Sequence, residues 1–476
     1  MASSSGSEHV INSLLRAPDL ERIYSPLERV QTDHVADPRF IVKERSYQQQ
    51  FSDMYFLRLA KLKPAVEEAA MEAWDDTEIS GEKVLHVDRV LDVRQGEMCW
   101  ILGTVYMDMP LKPNILDDIT KDHWVAAPPP REKYTEPGQD QTMLEDESGR
   151  LRLIGGILST QNLVTGCVIA VMGSETHDGD FEVVDLIIPD LPPQKKLLGS
   201  VKKEGRGRKV ALCSGLRFRG NVNEGYETEL LVEWLLGEIG DQEEQEGAAS
   251  IAHLILAGNS LGVPLAIPIV AGEEKTKKYG YDASTYNASP ALALDNFLSQ
   301  LLPSLPVTIM PGEADPANVS LPQQPLHPAI FPTAKQYGPG TFDRGTNPWT
   351  AEMDGVTFLG TSGQTLDDVY KYVEGDDRLG MAERLLRWRL VAPTAPDTLW
   401  SYPFHDKDQF VIEECPHVFF VGNQPEYKTS LLEGGDGQQV RVILIPKFSE
   451  TGQIVIVDLD TLDVETVMFS LRERKE

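Results

Sequence analysis

The stretch IAHLILAGNSLG, residues 251–262, opens with a seven-residue, almost wholly apolar run and breaks at Gly258-Asn259. A short apolar run bounded by a glycine turn reads as a strand covered on both faces. Working outward, KVALC at Lys209–Cys213 is a second buried strand. Between the two, Tyr226 to Ile239 places Leu230, Leu231, Trp234, Leu235 and Ile239 on one side of a helix. The acidic run Asp241 to Glu246 then reads as a loop. A helix over Ser289 to Leu302 leads to a third strand, Pro306 to Met310. Strand–helix–strand units of this spacing imply a parallel or mixed sheet covered by helices. Gly355 to Gly360, Val418 to Val421, Gln439 to Ile445 and Gln453 to Leu459 add strands, the last two flanking Ser449-Glu450-Thr451-Gly452, which reads as a hairpin turn. The expected result is a two-layered sheet core with helices outside. No repeat of 20–50 residues is visible.

The N-terminal half reads differently. The first forty residues are polar, carry Pro18, Pro26 and Pro38, and form an extension that lies on something else or stays mobile. A helix is expected over Ser46 to Trp74, kinked or split at Pro64. Strand patterns follow at Lys83 to Val93, Met98 to Met107, Arg152 to Leu158, Leu163 to Met172 and Phe181 to Pro189, with a Pro-rich loop after the second. Five short strands and one helix suggest a small closed β-barrel of the oligonucleotide/oligosaccharide-binding (OB) kind. Such barrels bind single strands through basic grooves and stacking. Here the loops hold Asp108, Asp117, Asp118, Asp140, Glu145, Asp146 and Glu147, so protein binding is the better expectation.

The 476 residues carry 44 Lys and Arg against 74 Asp and Glu, a net charge of −30. That balance argues against a free-standing nucleic-acid binder. No apolar run approaches a membrane span, and Met1 to His9 lack the apolar core of a secretory signal. Cys99, Cys167, Cys213 and Cys415 are far apart, with no Cys-x-x-Cys pair, and read as buried thiols of a reducing compartment, cytosol or nucleus. Between the halves, Leu191 to Lys209 is a linker whose basic run (Lys202, Lys203, Arg206, Arg208, Lys209) is a flexible link, a localisation signal or a phosphate contact.

Chemistry in α/β folds sits in the loops after the strands. Those loops here are Ser214-Gly215-Leu216-Arg217, Gly258-Asn259-Ser260-Leu261, Pro311-Gly312-Glu313-Ala314-Asp315 and Gly422-Asn423-Gln424-Pro425. Their order resembles the calcineurin-like metallophosphoesterases, which hold two metals about 3.5–4 Å apart to activate water. The resemblance puts Gly215, Arg217, Asn259, Glu313, Asn423 and Pro425 where that family has ligands, and Ala314 where it has a catalytic histidine. Only Gly258, Gly312, Gly422 and Asp315 keep its identity. His327 and His417 lie outside these loops and read as surface or core histidines. No catalytic residue, metal or cofactor is therefore expected.

A barrel followed by such a frame resembles the B subunits of replicative DNA polymerases, most sharply the small-subunit family of the delta enzyme. The segments that carry this are LAGNSLG (256–262), MPGEADPANVSLPQQPLHPAIFP (310–332), FLGTSGQ (358–364), APTAPDTLWSYPF (392–404) and CPHVFFVGNQP (415–425), with YFLRLAKLKP (55–64), MPLKPNIL (109–116), LVTGCVIAVMGS (163–174) and DLPPQKK (190–196) in the barrel half. The resemblance covers the chain from about Asp37 onward. It implies an extension at 1–40, an OB domain with its helix at 41–200, and an inactive phosphoesterase-like domain at 201–476. It also implies a nuclear, non-catalytic scaffold serving replication and repair. Its partners would be the cysteine-rich C-terminal domain of the delta catalytic subunit and a third subunit linked to the sliding clamp, with sharing by polymerase zeta and little direct DNA contact. Trp349, Trp400 and Tyr402 sit in Pro-flanked, irregular stretches and are candidate partner contacts, or else pack a long loop onto its own domain. The alternatives are a residual metal-dependent phosphodiesterase and a single-strand-binding barrel.

Overall fold

The computed structural model describes residues 27–46, 48, 50–79, 81–113, 131–197, 207–220, 225–262 and 287–470. Strand β1 (His34–Ala36) precedes helix α1 (Ser52–Trp74), and a small ribbon of β2 (Glu78–Ile79) and β3 (Glu82–Lys83) leads into the barrel. The barrel uses β4 (Leu85–His86), β5 (Met98–Asp108), β6 (Gln141–Glu145), β7 (Arg150–Ile154), β8 (Val168–Glu175) and β9 (Phe181–Ile187). Their order is β4-β5-β6-β7-β9-β8, and seven antiparallel pairs from Met98↔Ser174 to Thr104↔Val168 close it. Closure leaves β5 and β8 without a free edge.

The second domain runs β10 (Lys209–Cys213), α2 (Tyr226–Leu236), α3 (Gln242–Ser250), β11 (Ile251–Ala257), α4 (Ser289–Leu301), β12 (Val307–Met310), β13 (Phe342–Arg344), β14 (Trp349–Met353), β15 (Val356–Thr361), α5 (Gln364–Tyr372), α6 (Arg378–Arg387), β16 (Val418–Gln424), β17 (Lys428–Glu433), β18 (Gln439–Pro446), β19 (Gln453–Asp458) and β20 (Val464–Met468). Two six-stranded mixed sheets result, β1-β14-β15-β16-β18-β17 and β13-β12-β11-β10-β19-β20. They pack face to face through Val210, Leu212 and Ile255 on one side and Phe358, Val418 and Phe420 on the other. The outer face of the second sheet packs Leu254 and Leu256 against Leu231, Trp234 and Leu298 of its helices. Every residue of β11 is buried, which explains why it is apolar at all positions but His253, whose Nε2 lies 2.8 Å from Thr308 Oγ1. The expected barrel and the expected two-sheet sandwich flanked by helices are both present.

The outer face of the first sheet shares one apolar cluster with α5, α6, α1 and the barrel, so Val66, Cys167, Leu386, Phe410 and Phe419 belong to a single core. All four cysteines are buried and free. Among the described residues no helix is long and apolar enough to cross a membrane.

Several local readings are corrected. Helix α1 runs unbroken through Pro64; its buried face (Met54, Leu62, Val66, Ala70) holds it where the missing N–H alone would not. The Asp241 to Glu246 run is the start of α3, with Asp241 Oδ1 capping Glu243 and Glu244 N–H at 3.1 Å each. The Ser449 to Gly452 turn is no hairpin: β18 and β19 lie in different sheets, and a single helical turn (Phe448–Thr451) crosses between them. Lys83 to Val93 is two strand fragments and a 3-10 turn around buried Val90. Strand β6, within the loop after β5, was not expected; it moves Glu145 from loop to strand. Asp117, Asp118, Lys202, Lys203 and Arg206 lie outside the described residues. Arg208 is paired with Asp354 and Asp460, and Lys209 with Glu465, so this end of the basic run is engaged with the fold.

Candidate functional site

The four strand-end loops converge at one edge of the sandwich. The Gly215 N–H donates to Gly258 O at 3.0 Å and the Arg217 N–H to Asn259 O at 3.0 Å. Asn423 N–H donates to Ser214 Oγ at 2.8 Å. The Asn423 amide Nδ2 donates to Ala257 O at 3.1 Å and Ser362 O at 2.8 Å, and Ser362 Oγ donates to Pro311 O at 2.5 Å. Two carbonyl acceptors fix which way that amide faces. Its Oδ1 is buried and has no partner among the described residues. Asn259 Oδ1 accepts the Ala314 N–H at 2.8 Å.

Asp315 is buried and spends its carboxylate on backbone donors: Leu261 and Gly312 N–H at 2.8 Å each and Ser260 N–H at 3.3 Å. Burial pushes its carboxyl up to about 6, and these donors oppose that rise. Glu313 and Pro425 are exposed. Arg217 lies 3.4 Å from Glu450. Arg217, Asn259 and Asn423 hold φ of 54°, 52° and 58°, in the left-handed region that glycine takes without strain. A Cβ added at Gly215 would meet Asn423 Oδ1 at 2.8 Å, and one at Gly258 would meet Ser362 Oγ at 2.4 Å. The glycines are required by the close approach of these loops. The structure thus brings Gly215, Asn259, Ala314, Asp315 and Asn423 into one contact network and leaves Glu313 and Pro425 at its rim. Among the described residues there is no group of three or more His, Cys, Asp or Glu that could hold a metal ion. His417 is a core histidine, its Nδ1 accepting the Thr357 N–H at 3.0 Å, while His327 Nδ1 caps Ala329 N–H at 3.2 Å.

The aromatic candidates separate. Trp349 begins β14, is 3% exposed, and packs 6.1 Å from the Phe420 ring. That corrects the irregular-segment reading and removes Trp349 from any outer surface. Trp400 is 68% exposed. Trp400 and Tyr402 line a cleft of about 620 Å³ between the barrel and the second domain, with Phe51, Tyr55, Tyr106 and Pro403. Phe51 is itself 50% exposed. Phe51, Tyr55 and Tyr106 were missed by sequence reading. Their signal, aromatics four residues apart at the start of α1 and one in β5, needed the domain arrangement before it meant anything.

Two family models match the chain: the DNA polymerase delta subunit OB-fold domain over residues 50–186, and the B subunit of DNA polymerases alpha and epsilon over residues 210–429. The DNA polymerase delta small subunit of Arabidopsis thaliana is 42% identical over 454 residues, covering 95% of this chain and 98% of that protein. This chain belongs to the DNA polymerase delta small-subunit family. The delta small subunit of Saccharomyces cerevisiae is 34% identical over 465 residues, 90% of this chain and 91% of that protein. The DNA polymerase II small subunit of Archaeoglobus fulgidus is 23% identical over 252 residues, 52% of this chain and 48% of that protein. The alpha/epsilon match spans all four strand-end loops and the Trp400 side of the cleft, and the OB-fold match spans Phe51, Tyr55 and Tyr106. As a delta small subunit, the chain is part of a DNA polymerase complex.

Proposed function

We propose that this delta subunit is a non-catalytic scaffold, joining the cysteine-rich C-terminal domain of the catalytic subunit to the third, clamp-linked subunit. The observation that carries the non-catalytic half is the state of the converged loops. Two divalent ions need several anionic or imidazole donors with free lone pairs. Here Asp315 faces three backbone donors, Asn259 faces a fourth, Arg217 pairs with Glu450 and Pro425 offers no side-chain donor, which leaves the neutral amide Oδ1 of Asn423 and the rim carboxylate of Glu313. That donor set does not fit a binuclear centre. It supports the reading that the phosphoesterase ligands are lost.

The scaffold half is supported by the shared core that joins barrel and sandwich, and by the exposed aromatic cleft. Exposed Trp400 and Phe51 beside Tyr55, Tyr106 and Tyr402 have the make-up of a partner anchor. We assign the cleft to the catalytic subunit's C-terminal domain. The net charge of −30 suits a complex whose basic, DNA-facing surfaces belong to other subunits. The role is nuclear, in replication, with repair and sharing by polymerase zeta following from the same scaffold. The test is co-purification of the full chain with the catalytic subunit. Loss of that complex on Trp400→Ala supports the cleft, and its persistence at unchanged affinity moves the contact elsewhere.

A further inference from the structure

Residues 27–46 cross the outside of the second domain and end at the cleft, touching the body every few residues. The Arg29 guanidinium donates to Ala248 O and Ile251 O at 2.7 Å each and to Leu235 O at 2.5 Å. Leu235 and Ala248 lie in the last turns of α2 and α3, where carbonyls run short of helical partners and a cation is favoured. Val30 N–H donates to Ala249 O at 3.0 Å. Next, β1 extends the first sheet beside β14, flanked by Asp354 N–H to Asp33 O at 3.0 Å and Asp37 N–H to Thr350 O at 3.1 Å. His34 reaches across to Asp343 of the second sheet at 3.1 Å. Arg39 donates to Gln409 O at 2.9 Å and also to Val411 O. Phe40 is fully buried. Gln324 bridges Val42 N–H and Phe40 O at 3.0 Å each, and Ser46 N–H donates to Tyr402 Oη at 2.8 Å. Val42 and Arg45 line the cleft.

We propose that residues 27–46 form one cooperative strap that couples the Arg29 capping site on the helix layer to the wall of the aromatic cleft. The segment, LERVQTDHVADPRFIVKERS, contains no glycine, and Pro38 stiffens it midway. It therefore has no permissive residue to take up slack between its anchors. Its contacts tie both sheets and the loops at the barrel seam, so release at one end lets the chain shift at the next contact. The cleft wall is set from the far side of the domain.

The test is hydrogen–deuterium exchange on the full chain, reading the bonded amides of Val30, Asp37, Val42 and Ser46. Arg29→Met is expected to speed exchange tenfold or more at Asp37, Val42 and Ser46 as well as Val30, with the β5–β8 ladder unchanged. Arg39→Met, on the cleft side of Pro38, is expected to do the same back to Val30. Acceleration confined to Val30 in the first variant, or to residues near Arg39 in the second, would overturn the proposal. So would acceleration spread equally through the barrel, which would make the segment part of the global fold. If Arg29→Met does not fold, Arg39→Met decides alone.

Discussion

Arg58 Nε donates to Asp408 Oδ2 at 2.8 Å, with the two side chains 0% and 1% exposed. The same guanidinium donates to Pro393 O at 2.6 Å and Ala395 O at 2.9 Å. A helix packed on the barrel thus satisfies carbonyls of the second domain. Lys133, in the loop before β6, does the same with Tyr370, Val373 and Gly375 O at 2.7–2.9 Å near the end of α5. Arg389 takes Pro189, Asp190 and Leu191 O at 2.6–3.0 Å on the exit from β9. Cations reach into backbone carbonyls from both sides and tie the seam together.

Arg58→Met strands the Asp408 carboxylate in the core. Breaking a buried pair from one side costs about 3–5 kcal/mol. The denaturant midpoint should fall accordingly, and the double variant Arg58→Met/Asp408→Asn should recover part of the loss. A loss under about 1 kcal/mol for the single variant would mean the seam is held mainly by apolar packing.

The two tryptophans should behave oppositely. Trp349→Ala empties a core site and should cost about 3–5 kcal/mol. Trp400→Ala should leave stability within about 0.5 kcal/mol. In calorimetry against the catalytic subunit's C-terminal domain it should weaken binding by about 2 kcal/mol, roughly thirtyfold. The reverse pattern would place the partner surface elsewhere.

Gly215→Asp places an acid in the first loop but drives its Cβ to 2.8 Å from Asn423 Oδ1, at a φ of +67°. Overpacking of this kind costs roughly 1–3 kcal/mol. Thermal melts should show the loss, and manganese should not offset it. A manganese-dependent rise in melting temperature would show that the loops still have room for a metal.

Acid should weaken the fold through His253. Burial, then the neighbouring His34, lower its imidazole to about 3, against the opposing charge of Asp343. Its Nε2 is 2.8 Å from Thr308 Oγ1. Below pH 6.5 the unfolded chain binds a proton that the folded chain refuses, so this contribution is whole above 6.5 and drains away toward 3. Glu413, held at about 2 by Lys407 and Lys61, adds a loss that begins near pH 4.5. Asp315, raised to about 6, works in the opposite sense between 3.8 and 6. The stability gap between wild type and His253→Asn should therefore shrink as pH falls from about 7 to about 4. A gap constant over that range would show that the histidine titrates alike in both states.

The long elements were legible because burial fixes their pattern. Strand β11, covered on both faces, is apolar at every position but His253, and the buried stretch of β5 from Cys99 to Val105 is apolar apart from Thr104. What failed were places where distant packing decides. The QTMLE stretch of β6 has no clean alternation and becomes a strand by pairing with β5. The Ser449 to Gly452 turn looks like a hairpin until β18 and β19 are assigned to different sheets. Strand β1 is three residues long and exists because β14 offers an edge. In the loops, the residue types were readable, but the contacts among Gly215, Asn259, Asp315 and Asn423 were not. Nor was the cleft, since Phe51 and Trp400 are far apart in the chain and meet only across the seam.

The most direct test of the scaffold account puts the purified full chain into two assays at once. One measures binding to the catalytic subunit's cysteine-rich C-terminal domain; the other measures manganese-dependent hydrolysis of DNA. The account predicts a stable complex and no hydrolysis above a buffer control. Hydrolysis that co-elutes with the chain and disappears in Glu313→Ala would contradict it.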